Sequence, residues 1–328
     1  MKAIVALQPG SPDVLTFVNI EEPHLAPDEV KIRVKAFGLN KAEAYYRAGA
    51  FGELNPKLAL GIEAAGEVIE DPSKHFQPGD KVITAMGGMM FARHGSYAEI
   101  ISVHRNNVQK INSDIDYVTL ASLPEAYGTI WGALDKTLNI QSGETLLVRG
   151  ATSSLGMAGL AYAKAKGLKV IATTRRENML SFLKDKGADH ATLDDGNIQG
   201  KVLDLFPNGI DSALEVVGVA TLIDTMKTLK PWGKVNVVGA LGGMPILENF
   251  NLLSDLPSSV QLSFFQSDMI GHEQIKLSDS PIDWIADQVQ KGIIPSIISQ
   301  VFEYEDIQKA HALLDSNQAG GKLVVKVG

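Results

Sequence analysis

The chain has 328 residues, 45% apolar and 21% charged, so it is long enough for two domains and can bury a large core. Its 30 basic and 38 acidic side chains leave a formal net charge of −8, which argues against a nucleic-acid surface built on bulk charge. The absence of cysteine excludes disulfides, thiolate nucleophiles and cysteine-ligated metal sites. Met1–Val5 runs straight into a strand-like segment without a leader pattern, and no apolar run reaches bilayer length. The expectation is a soluble, cytoplasmic protein.

Up to about residue 115 the pattern is one of short strands separated by Gly, Pro, Asp or Asn: Lys2–Leu7, Val14–Ile20, Glu29–Ala36, Glu63–Glu70, Lys81–Ala85 and Ser96–Val103. From about 119 strands and helices alternate. Glu144–Arg149, Lys169–Thr174, Ile210–Val217 and Gly233–Gly239 read as strands; Leu155–Lys166, Glu177–Lys186 and Ala220–Leu229 read as helices. Such alternation implies a parallel sheet covered on both faces. Strand Lys234–Gly239 with the following Ala240–Leu247 reads as the sheet's edge. The end of the chain mixes strand (Val260–Phe265, Lys322–Val327) and helix (Ile282–Lys291, Glu305–Leu314). The α/β unit therefore reads as an insertion, residues 121–260, between two parts of a β-rich domain, 1–120 and 261–328.

The strand ending at Arg149 leads into Gly150-Ala151-Thr152-Ser153-Ser154-Leu155-Gly156 and then a helix. Small residues at a strand-to-helix turn let the backbone approach a pyrophosphate, and the helix N-terminus offers free N–H groups. Gly150, Thr152, Ser153, Ser154, Leu155 and Gly156 are the candidate binding residues, with Ser153 where the usual pattern has its middle Gly. Some 20 residues on, an NAD enzyme has an acid to hold the ribose hydroxyls. This chain has Thr174-Arg175-Arg176, and guanidiniums suit a 2′-phosphate. The cofactor expected is NADPH.

Further motifs carry a resemblance: Gly38-Leu39-Asn40, Arg47-Ala48-Gly49, Gly61–Val68, Pro78–Val82, Gly95–Glu99, Thr129–Leu134 and Gly321–Val325. In this order and spacing, together with the phosphate turn, the chain resembles the medium-chain dehydrogenase/reductase superfamily, in its zinc-free quinone oxidoreductase-like branch. The resemblance implies an α/β protein: a GroES-like β-rich substrate domain with an inserted Rossmann domain, a doubly wound parallel sheet. It also implies a place near the nicotinamide for Thr129, with Gly239 and Lys322 as further candidate cofactor contacts; Phe265 reads either as packing near the nicotinamide end or as a core aromatic. Zinc members of the superfamily have a Cys where Asn40 lies and a His where Ile62 lies, so no metal is expected.

Without a Lewis acid, an alkoxide is hard to stabilise, whereas hydride addition to a quinone or enone spreads charge over a conjugated acceptor. Asn40 and Tyr45 are the candidate donors, although Asn40 is equally a helix cap and Tyr45 equally a packing aromatic. Relatives often have a Tyr where Phe51 lies. Glu63 reads as near the cleft or as structural. The resulting expectation is an NADPH-dependent reductase of quinones or α,β-unsaturated carbonyls, forming a homodimer. The alternative is an NADPH-binding regulatory or interaction protein without turnover.

Overall fold

The computed structural model describes residues 1–243 and 245–328. Two compact units are formed, one by residues 1–128 and 267–328 and the other by residues 129–266. In chain order the first unit opens with strands β1 (Lys2–Ala6), β2 (Leu15–Asn19) and β3 (Glu29–Gly38), helix α1 (Lys41–Arg47), then β4 (Glu63–Glu70), β5 (Lys81–Ala85), β6 (Ile100–His104) and β7 (Val108–Lys110). Helices α2 (Tyr117–Leu120) and α3 (Pro124–Trp131) follow. The boundary between the units falls inside α3, and a seven-residue π-helix, Gly132–Leu138, continues it.

The second unit holds β8 (Thr145–Arg149), α4 (Ser154–Ala165), β9 (Lys169–Thr174), α5 (Leu180–Asp185), β10 (His190–Leu193), α6 (Gln199–Leu205), β11 (Ile210–Glu215), α7 (Val219–Met226), β12 (Leu229–Val237) and β13 (Gln261–Phe264). The chain then returns to the first unit with α8 (Ile282–Gln290), β14 (Ile298–Glu303), α9 (Ile307–Asp315) and β15 (Lys322–Lys326).

In the first unit β14-β15-β3-β4-β5-β7 form one sheet, with β6 paired to β3. In the second, the order β10-β9-β8-β11-β12-β13 is parallel throughout. The reason is visible in β8: all five of its residues are buried, as a strand covered on both faces requires. Leu147, Ile171, Ala213 and Val235 share a core cluster with Ile198, Val202, Leu222 and Met226 from the α6 and α7 regions. Helix α4 lies close to the sheet because it carries Gly159, where a Cβ would come within 2.6 Å of Leu214.

Two features correct the sequence reading. Strand Lys234–Gly239 is not the sheet's edge: β12 pairs with β13, which is. The Ala240–Leu247 segment forms no strand among its described residues, and Met244 lies outside them. Strand β10 and helix α6 carry no clear sequence signal, because His190–Leu193 is an edge strand with no fully buried residue. The helix expected at Glu177–Lys186 begins as a 3-10 turn before α5. Among the described residues, no helix is long and apolar enough to cross a membrane.

Candidate cofactor and acceptor sites

In the second unit, the turn after β8 depends on two glycines. Gly150 has φ 83°, a conformation that disfavours any side chain. At Gly156 a Cβ would collide with the Gly150 carbonyl oxygen and lie 2.6 Å from Ala151 Cα. Thr173 on β9 holds the turn: its hydroxyl accepts the Gly150 N–H at 3.1 Å and its carbonyl the Ala151 N–H at 3.0 Å. Ser153 is the N-cap of α4. Its hydroxyl donates to the Gly150 carbonyl at 2.8 Å and accepts the Gly156 N–H at 3.0 Å. Ser153 thus closes the turn where the glycine of the usual pattern would leave it open, and its hydroxyl is committed to that cap. The amides of Thr152, Ser154 and Leu155 have no acceptor among the described residues. Three unpaired N–H groups at a helix N-terminus form an anion cradle, and a dinucleotide pyrophosphate fits it.

At the end of β9, Thr174 is buried and its hydroxyl accepts the Arg176 N–H at 3.2 Å. Arg175 is exposed and Arg176 partly so. Neither guanidinium has a hydrogen bond or ion pair among the described residues. Gly239 passes so close to β11 that a Cβ would collide with the Val216 carbonyl oxygen. Thr129 is buried on α3. Phe265 is a core aromatic, since its ring is pressed against Gly132, where a Cβ would lie within 2.5 Å of three ring carbons. That packing agrees with the core-aromatic reading of this residue.

Behind the turn lies a network that the sequence reading missed. Arg149 is fully buried and binds both oxygens of Asp194, through Nε at 2.8 Å and Nη2 at 2.9 Å. Its Nη1 donates to Asp224 at 2.6 Å, to the Thr221 carbonyl at 3.0 Å and to the Thr225 hydroxyl at 3.0 Å. Burial pushes the Asp194 carboxyl up, but Arg149, the Gly196 amide and the Thr173 hydroxyl outweigh it and hold it below its usual range. The available signal was an arginine ending an apolar strand immediately before a glycine turn.

In the first unit, Asn40, Glu43, Glu63 and Lys322 form a buried cluster. Lys322 Nζ donates to Asn40 Oδ1 and to Glu63 Oε1, both at 2.5 Å. The Asn40 Nδ2 donates to Glu63 at 2.9 Å and to Glu43 at 3.3 Å. Its backbone N–H donates to Glu43 Oε2 at 2.8 Å, capping α1. The other Glu63 oxygen accepts the Glu125 N–H at 2.8 Å. Gly38 leaves room for this, since a Cβ there would collide with Glu63 and Lys322.

Two expectations are corrected here. The Asn40 amide has both donors and its oxygen spent inside the cluster, so it is a cap and a spacer rather than a donor to substrate. The Lys322 side chain is 0% exposed and its ammonium is committed to Glu63 and Asn40, so it does not reach a phosphate. Tyr45 is the other expected donor. It is half-buried on α1, edge-to-face with Phe51 at 6.1 Å, and burial raises its phenol above the usual range. Tyr46 is a packing residue whose hydroxyl accepts the Asn55 N–H.

Burial pushes the Glu43 carboxyl up to about 8, and the charge on Glu63 adds to this against the pull of Lys322. Its proton is therefore held more tightly in the folded chain than in the unfolded one. The stability this contributes is complete below the unfolded value of 4.5 and is lost as pH rises through about 8. Urea unfolding across pH 5–9 should show this decline in the wild type and a flatter profile in Glu43→Gln. The same slope in both would place the titration elsewhere.

Residues 26–113 match the family model described as alcohol dehydrogenase GroES-like domain, and residues 154–278 match that described as zinc-binding dehydrogenase. The chain is 26% identical over 334 residues to human quinone oxidoreductase, covering 99% of this chain and 97% of that protein. It is also 26% identical over 327 residues to the quinone oxidoreductase of Pseudomonas aeruginosa, covering 96% of each. Among solved structures, the quinone oxidoreductase from Coxiella burnetii superposes with TM-score 0.84 at 25% identity, over 100% of this chain and 99% of that one. The Escherichia coli quinone oxidoreductase complexed with NADPH gives TM-score 0.87 at 21% identity, over 99% and 100%. With a GroES-like unit, an inserted parallel sheet in the order 3-2-1-4-5-6 and these relatives over its whole length, the chain belongs to the medium-chain dehydrogenase/reductase superfamily, in its quinone oxidoreductase-like branch, and is an oxidoreductase.

Proposed function

We propose that this oxidoreductase uses NADPH, works without zinc, and transfers hydride to a quinone or an α,β-unsaturated carbonyl. The observation that carries the cofactor choice is the pair of unpaired guanidiniums, Arg175 and Arg176, at the end of β9, the strand whose Thr173 holds the anion-binding turn. When bound, the dinucleotide supplies the hydride. The amides of Thr152, Ser154 and Leu155 hold its pyrophosphate, and the arginines pair with the 2′-phosphate. Each charged hydrogen bond contributes on the order of 1.5–3 kcal/mol at a desolvated site, less where solvent screens it. Arg175→Ala and Arg176→Ala should raise the KM for NADPH by about tenfold or more in at least one variant and leave the KM for NADH nearly unchanged. Equal rises for both cofactors would contradict the assignment.

A conjugated acceptor suits the first unit because no strong electrophile is needed to receive the charge. Tyr45 is the residue positioned to donate a hydrogen bond or proton, and the exposed rings of Phe51 and Phe91 supply an apolar surface beside it. NADPH consumption with a panel of quinones and enones tests this reading, and turnover confined to simple alcohols or aldehydes would overturn it. Zinc independence is supported by what occupies the cluster. Lys322 already places a cation between Asn40 and Glu63, and Ile62 stands beside them with no ligating atom. Elemental analysis of active protein after chelation should find no stoichiometric zinc; one retained zinc per chain, required for turnover, would refute this.

The localisation proposed is cytoplasmic, and the assembly proposed is a homodimer. Strand β13 offers an unpaired outer edge with Leu262 and Phe264 exposed, and Trp232 and Leu253 of the same unit are also exposed. An open apolar edge of this kind needs covering. Sedimentation at micromolar concentration should show a dimer that Leu262→Lys weakens, and a wild type that is only monomeric would refute it.

A further inference from the structure

We propose that Arg149 is a specificity-determining residue: by holding the Asp194 carboxylate inward, it keeps an acid away from the ribose end of the cofactor site and so permits the 2′-phosphate. This rests on the reading that Arg175 and Arg176 bind NADPH.

Strand β10 lies beside β9, and the Asp194 N–H donates to the Thr174 carbonyl at 2.8 Å. The acid therefore stands at the same strand-end level as Thr174-Arg175. In an open α/β sheet, ligands bind at the carboxyl ends of the strands, and an acid beside the end of β9 would repel a 2′-phosphate held there. Here both carboxylate oxygens face inward. Arg149 takes them as a bidentate pair, Thr173 donates to Oδ2 at 3.2 Å and the Gly196 N–H to Oδ1 at 3.0 Å.

Arg149 cannot turn to release it, because Nη1 is fixed by Asp224, Thr221 and Thr225. Asp224 is itself held by the Ile198 and Gln199 amides, and Thr225 donates to Glu215 at 2.5 Å. Without the guanidinium, Asp194 would be a buried, uncompensated charge. Its relief would lie at the strand end, where Arg175 follows two residues after Thr173. There it would compete with a phosphate for the same cations.

The test measures Kd for NADPH and NADH by titration calorimetry on the wild type, Arg149→Met, Asp194→Asn and the double variant. Arg149→Met should lower the NADPH-over-NADH preference by about tenfold, the effect of one poorly screened like charge near the phosphate. The double variant should recover most of it, and Asp194→Asn alone should keep or increase it. Should Arg149→Met fail to fold, Arg149→Lys keeps the charge but not the bidentate fork, and should move the ratio the same way by less. Equal loss of both cofactors in Arg149→Met without recovery in the double variant would make Arg149 merely structural. Loss of the preference in Asp194→Asn would also overturn the proposal. A wild type without NADPH preference would overturn the underlying reading as well; a wild-type preference that Arg149 variants leave unchanged overturns only this inference.

Discussion

A guanidinium without access to water needs partners from the protein, and each of the three Arg149 nitrogens finds one by drawing on strand ends and α7 at once. Asp194 comes from the end of β10, Asp224, Thr221 and Thr225 from α7, and Thr173, which shares Asp194, from β9. Thr173 in turn holds the Gly150 N–H. The loops at the carboxyl ends of β8, β9, β10 and β11 are therefore tied to one cation. Removing one partner from such a buried pair costs about 3–5 kcal/mol, so the arrangement has little freedom to drift. A turn that offers the amides of Thr152, Ser154 and Leu155 to an anion gains rigidity from this network behind it.

The first unit solves a similar problem with Lys322. Burial works against its ammonium, but Glu63, Glu125 and Glu43 outweigh this and hold it above its ordinary range. The consequence is mechanical. Asn40 is fixed from both ends of its amide, Glu43 closes the cap, and α1 starts at one defined place with Tyr45 on its second turn. A second buried chain supports the far end of α1. Arg47 faces His311 Nδ1 at 2.9 Å and pairs with Asp315 at 2.6 Å, while His311 Nε2 meets the Tyr97 hydroxyl at 2.9 Å. Arg47 can only donate, so His311 accepts at Nδ1 and carries its proton on Nε2. Burial and the charges of Arg47 and Lys41 press the imidazole down to about 3, so it stays neutral.

Much of the fold was legible because its signals are local. Val148 and its neighbours announce a strand buried on both faces, and Gly150 and Gly156 announce a turn in which only hydrogen fits at two positions. Strand β4 and strand β9 fall on the residues their patterns mark. His190–Leu193 was silent because an edge strand needs no apolar run, and α6 follows it without a strong cap. The site was legible by residue type but not by commitment. Asn40 has the right chemistry for a donor, yet only the meeting of residues 40, 43, 63 and 322 shows that its hydrogens are already used. Lys322 is hard to read for the same reason: an ammonium in sequence does not reveal whether the core has claimed it. Arg149 looked like the last residue of a strand, since its partners lie 45 to 76 positions away.

In the proposed reading, the turn after β8 holds the pyrophosphate and the arginines after β9 recognise the 2′-phosphate. Direct titration of the wild-type chain with NADPH and with NADH at two ionic strengths tests it most simply. With about 2 kcal/mol from the phosphate, NADPH should bind roughly thirtyfold more tightly at low salt, and the advantage should shrink as salt screens an exposed pair. Equal affinity for the two dinucleotides at both ionic strengths would contradict the account.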